Sequence, residues 1–499
     1  MDTKILRQKV LDLAIHGKLV KQDSNDEPAS ILLDRIRAEK ARLVKEGKIK
    51  KSDLIEKPIS EDESPFEVPE GWEWCRINEY TKQITDFVAS GSFESLRENV
   101  QYYNYKEYAI LVRTKDFQTN FQKDLVYTDK HGYEFLSNSN LFGGEIIFPN
   151  IGASIGKVFI VPNLKERMTL APNSIMARFY FEEQKDWFYY LFLSLFGISL
   201  LHSISSATAQ GKFNKTDFKQ LIIPIPPLAE QHRIVKAVDE LFEQIDIIER
   251  SEKELEEAAN KTRDKLLNLA IQGHLVPQDP NEEPASVLLE RIRAEKARLV
   301  KEGKLKKKDL EEKPISPDEI PFDIPEGWVW CRLKQICSKI IDGDHNPPAG
   351  LTSKTEYLMI SSKNINEDKL INLEDVRYLS KEVFEKEDLR TQARKDDILF
   401  TSVGSLGRSC IIQDNSLHLC FQRSVTILTT YIFNSFLKRY LDSPYVQSYV
   451  DEHSSGTAQK GFYLNQMELL LVPLPPLSEQ RRIVTKLEEL LQEIDKLKA

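Results

Sequence analysis

The fourteen residues RIRAEKARLVKEGK stand at Arg35–Lys48 and again, unchanged, at Arg291–Lys304. Around them, positions 28–51 and 284–307 agree at 21 of 24 places, with only the conservative exchanges Ile31/Val287, Asp34/Glu290 and Ile49/Leu305. An identity of this length means internal duplication. Agreement continues through KPIS (Lys57, Lys313) and VPEGWEWCR against IPEGWVWCR (Val68, Ile324), and then the copies part. Between there and the next strong match only landmarks persist: IGASIGK (Ile151–Lys157) against VGSLGRS (Val403–Ser409), and a TAQ tripeptide at Thr208 and Thr457. The copies converge again at PIPPLAEQHRIV (Pro224–Val235) and PLPPLSEQRRIV (Pro473–Val484).

The phase of the repeat sets the architecture. After PPLAEQ, the middle of the chain runs through KLLNLAIQGHLV (Lys265–Val276) into the second basic segment. Its beginning matches the extreme C-terminus, and its continuation matches KVLDLAIHGKLV (Lys9–Val20) at the extreme N-terminus. The two chain ends together therefore rebuild one copy of the central element: a cyclic two-fold repeat cut open within one scaffold unit. Ile234, Val238, Leu241, Ile245, Ile248, Glu252, Leu255, Ala259, Thr262, Leu266 and Leu269 alternate steps of four and three, which predicts a helix with a heptad seam and polar breaks at Glu252 and Thr262. Ile483, Leu487, Leu490, Ile494 and Leu497 keep this rhythm, and Leu6, Val10 and Leu13 resume it. Proline pairs at Pro226–Pro227 and Pro475–Pro476 mark the starts of these helices. The simplest arrangement is antiparallel, the central helix lying against a broken helix made from both termini.

Between scaffold segments lie two heads. Each opens with a Pro-Glu-Gly turn into an aromatic strand, and short apolar runs (EIIF at Glu145, DILF at Asp397) followed by Gly/Ser loops predict mixed α/β domains. The expected division is 1–65 scaffold and basic helix, 66–225 first head, 226–321 central helix and second basic helix, 322–474 second head, and 475–499 C-terminal helix. WFYYLFLSLFGISLL (Trp187–Leu201) is the most membrane-like stretch, but it is shorter than a span, and its counterpart at Phe436–Val450 carries Lys438, Arg439 and Asp442. Both are expected to pack inside the heads. With no secretion signal visible, the chain is expected to be cytoplasmic. Five cysteines without C-x-x-C spacing predict reduced thiols and no zinc site.

The chemical motifs each fall short. GASIGK (Gly152–Lys157) has three residues between its glycines and Val158 after its lysine, where a Walker A loop needs four and a Ser/Thr. HNPPAG (His345–Gly350) shares Asn-Pro-Pro with adenine methyltransferases, yet Ala349 stands where those enzymes stack an aromatic on the flipped base. Asp342, Asp344 and His345 read as an Asx-rich turn rather than as metal ligands. No catalytic site and no metal site is expected. Binding remains. The net charge of −9, and 16 basic against 16 acidic residues over 71–225, confine any cationic face to a local one. Lys48, Lys50 and Lys51, like Lys304 and Lys306–Lys308, read as solvated helix ends. Cations and polar residues cluster instead at LVRTKDF (Leu111–Phe117), at ISSKNIN (Ile360–Asn366), and near the TAQ loops with Lys212 and Lys460. From the residues alone this is a two-headed binding scaffold, with DNA as one candidate ligand.

LAIQGHLVPQDPNEEPASVLLERIRAEKARLVKEGK, IPEGWVWCRL and PLPPLSEQRRIV together resemble the specificity subunits of type I DNA restriction–modification systems, in the branch with a repeat before each head. The resemblance spans the chain; the heads match in layout alone. It implies two α/β target-recognition domains separated by long antiparallel coiled-coil helices, each reading one half of a split, asymmetric site in double-stranded DNA. It further implies two methyltransferase subunits docked on the repeats, and restriction/translocase subunits joining that core. S-adenosylmethionine, ATP and Mg²⁺ would reside on those partners, with no cofactor in this chain. By position, the expected DNA contacts are Arg113, Lys115, Ser154 and Lys157 in the first head, and His345, Lys363, Asn364, Ser405 and Arg408 in the second. Two rival readings are a DNA adenine methyltransferase with a degenerate motif at Asn346–Pro348, and a coiled-coil scaffold that binds only protein.

Overall fold

A computed structural model describes residues 2–48, 58–206, 211–366, 368–414, 416–456 and 460–498. The chain divides into two compact units, Met1–Ser251 and Glu252–Ala499. The boundary falls inside the helix Leu228–Ile271, 44 residues long, so each unit takes part of it.

In the first unit the N-terminal helix Thr3–Ile15 is capped by Asp2, whose carboxylate accepts from the Lys4 and Ile5 amides at 3.1 Å. Val10, Leu11, Ala14 and Ile15 are buried, in one core with Ile234, Val238 and Ile245 of the central helix. Arg7 pairs with Asp246 at 2.5 Å and lies over the Phe242 ring. In the second unit Arg263, the repeat equivalent of Arg7, pairs with Asp495, the equivalent of Asp246. Each unit thus builds its own helix pair from one part of the central helix and one chain end. The heptad seam is buried at Ile234, Val238, Ile245 and Ala259, whereas Leu241 and Leu255 are exposed. The helices of the chain ends, 13 and 22 residues, are too short to cover 44.

The duplicated segment forms helices Ala29–Lys45 and Ala285–Lys301. Ala29, Leu32, Leu33, Ile36, Lys40 and Leu43 recur at helical spacing and are buried. Lys40 reaches through this face to donate to the Asn78 carbonyl at 2.7 Å, as Lys296 donates to that of Lys334 at 2.5 Å. Much of the remaining positive charge is matched locally, Arg42 by Glu39 and Glu46, and Arg298 by Glu295 and Glu302. Lys48 and Lys304 pair with Glu46 and Glu302; Lys50 and Lys51 lie outside the described residues.

Each head is closed by pairing its first strand with its last: Glu73–Arg76 with Ile222–Ile225, and Val329–Arg332 with Leu471–Leu474. The first head contains two four-stranded sheets. One orders Gln83–Asp86, Ser174–Arg178, Ile146–Pro149 and Phe159–Ile160; the other orders Tyr127–Thr128, Ala109–Val112, Met168–Leu170 and Asn140–Leu141. Ile110, Ile147, Met168 and Met176 share the core between them. The second head repeats the first sheet with Cys337–Asp342, Val425–Thr430, Ile398–Thr401 and Ser409–Ile411, and has three strands in the other, Arg377–Tyr378, Tyr357–Ile360 and His418–Phe421. A parallel pair recurs in both: Ala109–Val112 with Met168–Leu170, and Tyr357–Ile360 with His418–Phe421.

The apolar stretch Trp187–Leu201 is two helices, Glu183–Leu193 and Leu195–Ser203, broken at Ser194, with Trp187, Phe188, Leu191, Phe192 and Leu201 buried in the head. In its counterpart Lys438 is buried but pairs with Asp368 and Asp442. Among the described residues no helix is long and apolar enough to cross a membrane. All five cysteines are buried, and burial pushes the Cys337, Cys410 and Cys420 thiols up to about 12.

A joint between scaffold and head recurs in both units. Gly17 and Gly273 end their helices at φ 63° and 75°, the left-handed region. The next amide closes the turn, Lys18 to the Leu13 carbonyl and His274 to that of Leu269, both at 2.8 Å. A Cβ on either glycine would overlap the ring of Pro69 or Pro325, the proline of the Pro-Glu-Gly turn. Gly273→Ala is therefore expected to cost about 1–3 kcal/mol, read as a lower urea midpoint. Arg76 and Arg332, both buried, pair with Glu63 and Glu319. The Ser60 and Ser316 amides and these guanidiniums hold the two carboxyls at about 2. A lowered carboxyl stabilises fully above its unfolded value, about 4.5, and loses that contribution as pH falls through 2. The double variant Glu63→Gln, Glu319→Gln should show a shallower fall of the urea midpoint across that window than the native chain.

Candidate nucleic-acid interface

In both heads the parallel strands end side by side, so the loops that follow them converge. Residues 113–116 follow Ala109–Val112, residues 171–173 follow Met168–Leu170, and residues 150–158 follow Ile146–Pro149. Main-chain bonds tie them together: Ala171 N–H to the Val112 carbonyl at 3.0 Å, Asn150 N–H to that of Asn173 at 3.1 Å, and Gly152 N–H to that of Gly211 at 2.8 Å. The second head repeats the pattern, with Gln422 N–H on the Ile360 carbonyl and Ser402 N–H on that of Ser424, both at 2.9 Å, and Phe462 N–H on that of Ser402 at 2.8 Å. The loops are thus fixed by backbone, which leaves their side chains free to differ.

In the first head the loops enclose a cleft of about 480 Å³ whose lining includes Tyr102, Arg113, Lys115, Ser154 and Asn173. Three of the four expected contacts, Arg113, Lys115 and Ser154, meet there; Lys157 is exposed on the adjoining loop. Arg113 is held rather than mobile. The buried Asp116 accepts from its amide at 2.8 Å and from its guanidinium at 2.6 Å, and the Asp124 carbonyl accepts at 2.5 Å. GASIGK forms one 3-10 turn, Gly152–Ser154, and runs on into the strand Phe159–Ile160. A phosphate-binding loop of the nucleotide type leads instead into a helix N-terminus.

In the second head Asp342, His345, Ser402, Arg423 and Tyr463 are among the residues lining a smaller cleft of about 90 Å³. His345 Nε2 is 2.7 Å from the Asp342 carboxylate, which also pairs with Arg390 at 2.8 Å. Asp344 accepts from the Asn346 amide, the expected Asx turn. Lys363 is exposed and pairs with Asp375 at 2.8 Å. Ser405 and Arg408 are exposed on a loop shaped by Gly404 and Gly407 at φ 87° and 83°.

Asn364 faces inward. It is fully buried, its carboxamide oxygen accepting from the Ser361 amide at 3.1 Å and its nitrogen donating to the Asn372 carbonyl at 3.1 Å. It holds its turn, as Asp116 holds the corresponding turn of the first head, so its amide is not presented to a base edge. The TAQ tripeptides lie outside the described residues, while the flanking Lys212 and Lys460 bracket the glycine loops through a bridge to Ile151 and a bond from Gly404. Sequence reasoning missed Tyr102, Asn173, Arg423 and Tyr463, which reach the clefts through pairings between distant strands. Asn173 carried one faint signal, as an asparagine after Pro172 that adopts φ 69°.

The family described as type I restriction modification DNA specificity domain matches residues 71–257 and 325–499. The chain is 32% identical to the type I restriction enzyme EcoAI specificity subunit of Escherichia coli, over 99% of this chain and 90% of that protein. It is 29% identical to the EcoEI specificity subunit of the same species, with the same coverage. Its fold is similar to a solved chain from work on complex assembly and conformational transition of the type I R-M system, with a TM-score of 0.56 at 18% identity over 87% of this chain and 93% of that one. Matched in both heads and along nearly its whole length, the chain belongs to the type I restriction–modification specificity subunits: it is the DNA specificity subunit, the non-catalytic part, of such a complex.

Proposed function

We propose that each head reads one half of a split, asymmetric DNA site through the converging loops at its strand ends. The observation that carries this reading is the contrast between repeated parts. The same backbone bonds hold the loops in both heads, yet the presented side chains differ: Arg113, Lys115 and Ser154 in one, His345, Ser405 and Arg408 in the other. Two frames of one design with different contents suit two different half-sites. Cations and left-handed glycines on the loops suit approach to phosphate, while polar side chains in the clefts suit base edges.

The scaffold acts as the ruler between half-sites. A 44-residue helix rises about 66 Å, against about 34–36 Å for one turn of duplex. The heads span 66–225 and 322–474, and the scaffold comprises 1–65, 226–321 and 475–499. Its two near-identical repeats each dock one methyltransferase subunit, and restriction/translocase subunits join that core. S-adenosylmethionine, ATP and Mg²⁺ belong to those partners.

Mapping N6-methyladenine across a genome, in cells expressing this chain with its methyltransferase partner, tests the reading. A split motif with a fixed unspecified gap is expected, and replacing residues 71–225 with another head should change one half only. Methylation without this chain, or at an uninterrupted motif, would sink the proposal and favour the protein-only scaffold. Arg408→Ala should weaken DNA binding and lower the salt slope by about 1, with assembly on the partner unchanged. Unaltered affinity would remove Arg408 from the interface.

A further inference from the structure

The cleft of the second head contains one cation that its neighbours leave available. Arg423 is exposed, and among the described residues no carboxylate pairs with it. Around it, His345 is engaged by Asp342, Lys363 by Asp375, and Asn364 is turned into its loop. The backbone of Arg423 is held from several sides. Its amide donates to the Asp344 carbonyl at 2.8 Å, and its carbonyl accepts from the Ser402 hydroxyl at 3.5 Å. The adjacent Ser424 accepts from the Ser362 amide through its hydroxyl at 3.1 Å, and Val425 N–H closes the turn on the Gln422 carbonyl at 2.9 Å. A guanidinium launched from so fixed a main chain, with its charge unneutralised, is organised to meet a ligand acceptor without first breaking an internal pair.

Two acceptors in DNA fit a planar guanidinium: a phosphate, and the O6/N7 edge of guanine. Position decides between them. Arg423 follows the end of the buried parallel pair and lines the cleft itself, whereas Arg408 stands outside that lining on the neighbouring glycine loop, where phosphate contact is expected. The equivalent place in the first head, fixed by the matching bonds of Ala171 to Val112 and Gln422 to Ile360, is Pro172. A phosphate anchor would serve both heads alike, but a base reader must differ between half-sites. Resting on the two-headed reading above, we infer that Arg423 reads a guanine in the half-site of the second head.

Methylation mapping of the full complex carrying the native chain, Arg423→Ala or Arg423→Lys tests this, with head replacement assigning the halves. The native motif should hold a guanine, or its paired cytosine, in the half belonging to the second head. Arg423→Ala should keep the other half and the gap while losing preference at that one base pair by about 5- to 150-fold; Arg423→Lys should retain part of it. An unchanged motif would overturn the inference. So would a uniform loss over all sites with a lower salt slope, the signature of a phosphate contact. A native motif that is not split would fail the two-headed reading first, and the role of Arg423 with it.

Discussion

Glu230 and Glu479 lie in the first turns of the central and C-terminal helices, almost wholly buried, and each gathers two donors from distant parts of the chain. Glu230 accepts from the Trp72 indole at 2.9 Å and the Gln22 amide at 2.6 Å; Glu479 accepts from Trp328 and Gln278 at the same distances. Burial pushes both carboxyls up, and the indole and amide donors pull against it. The neighbouring glutamines extend the joint: Gln231 accepts from the Tyr80 hydroxyl, and Gln480 from the Phe433 amide. Such a joint adds modest net stability, because desolvating a carboxylate offsets much of what its hydrogen bonds contribute. Its larger effect is on geometry. The orientation of each head on its scaffold depends on it, since one acceptor fixes the helix start, the aromatic strand and the chain after the cap glycine together.

This joint explains which parts of the repeat stayed alike. Gly17, Gln22, Trp72 and Glu230 form one interlocking set, and Gly273, Gln278, Trp328 and Glu479 the other, so a change in one member disturbs the contacts of the buried glutamate or tryptophan. The basic helix belongs to the same frame. Its abundant lysine and arginine suggest a polyanion-binding strip, but Lys40 and Lys296 are buried against main-chain carbonyls, and Arg42 and Arg298 are held by glutamates one turn away on either side. Charge that is matched within a helix contributes little to a long-range field.

What could be read from the sequence follows the range of the interaction behind it. Helix starts at the PPL-x-EQ turns depend on neighbours within a few residues, and those signals were legible. Heptad spacing showed which face of the central helix is apolar, but not how far it is covered; Leu241 and Leu255 keep the rhythm and remain exposed. At the clefts, Arg113, Lys115 and Ser154 were found because each lies in a short run of polar residues after an apolar strand. Asn364 sits in the same kind of run, yet its amide is turned inward, a choice made by the carbonyls of residues 371, 372 and 375. Arg423 was not legible at all. A single arginine after an apolar strand becomes part of a cleft only through the parallel pairing of Tyr357–Ile360 with His418–Phe421.

The same separation accounts for how one frame can carry two different sets of side chains. Bonds such as Ala171 to Val112 and Gln422 to Ile360 run from amide to carbonyl, and any residue except proline can donate them. The loops therefore keep their course while their side chains change, as the exchange of Pro172 for Arg423 illustrates. Where a side chain does support a loop, the support is replaceable: an aspartate gripping an arginine in one head, an asparagine gripping main chain in the other. With acidic and basic residues balanced over 71–225, the first head has no bulk charge with which to select DNA. On the proposed reading, discrimination falls to a few side chains on a frame indifferent to their identity, and that indifference lets the heads diverge while the joints beneath them stay the same.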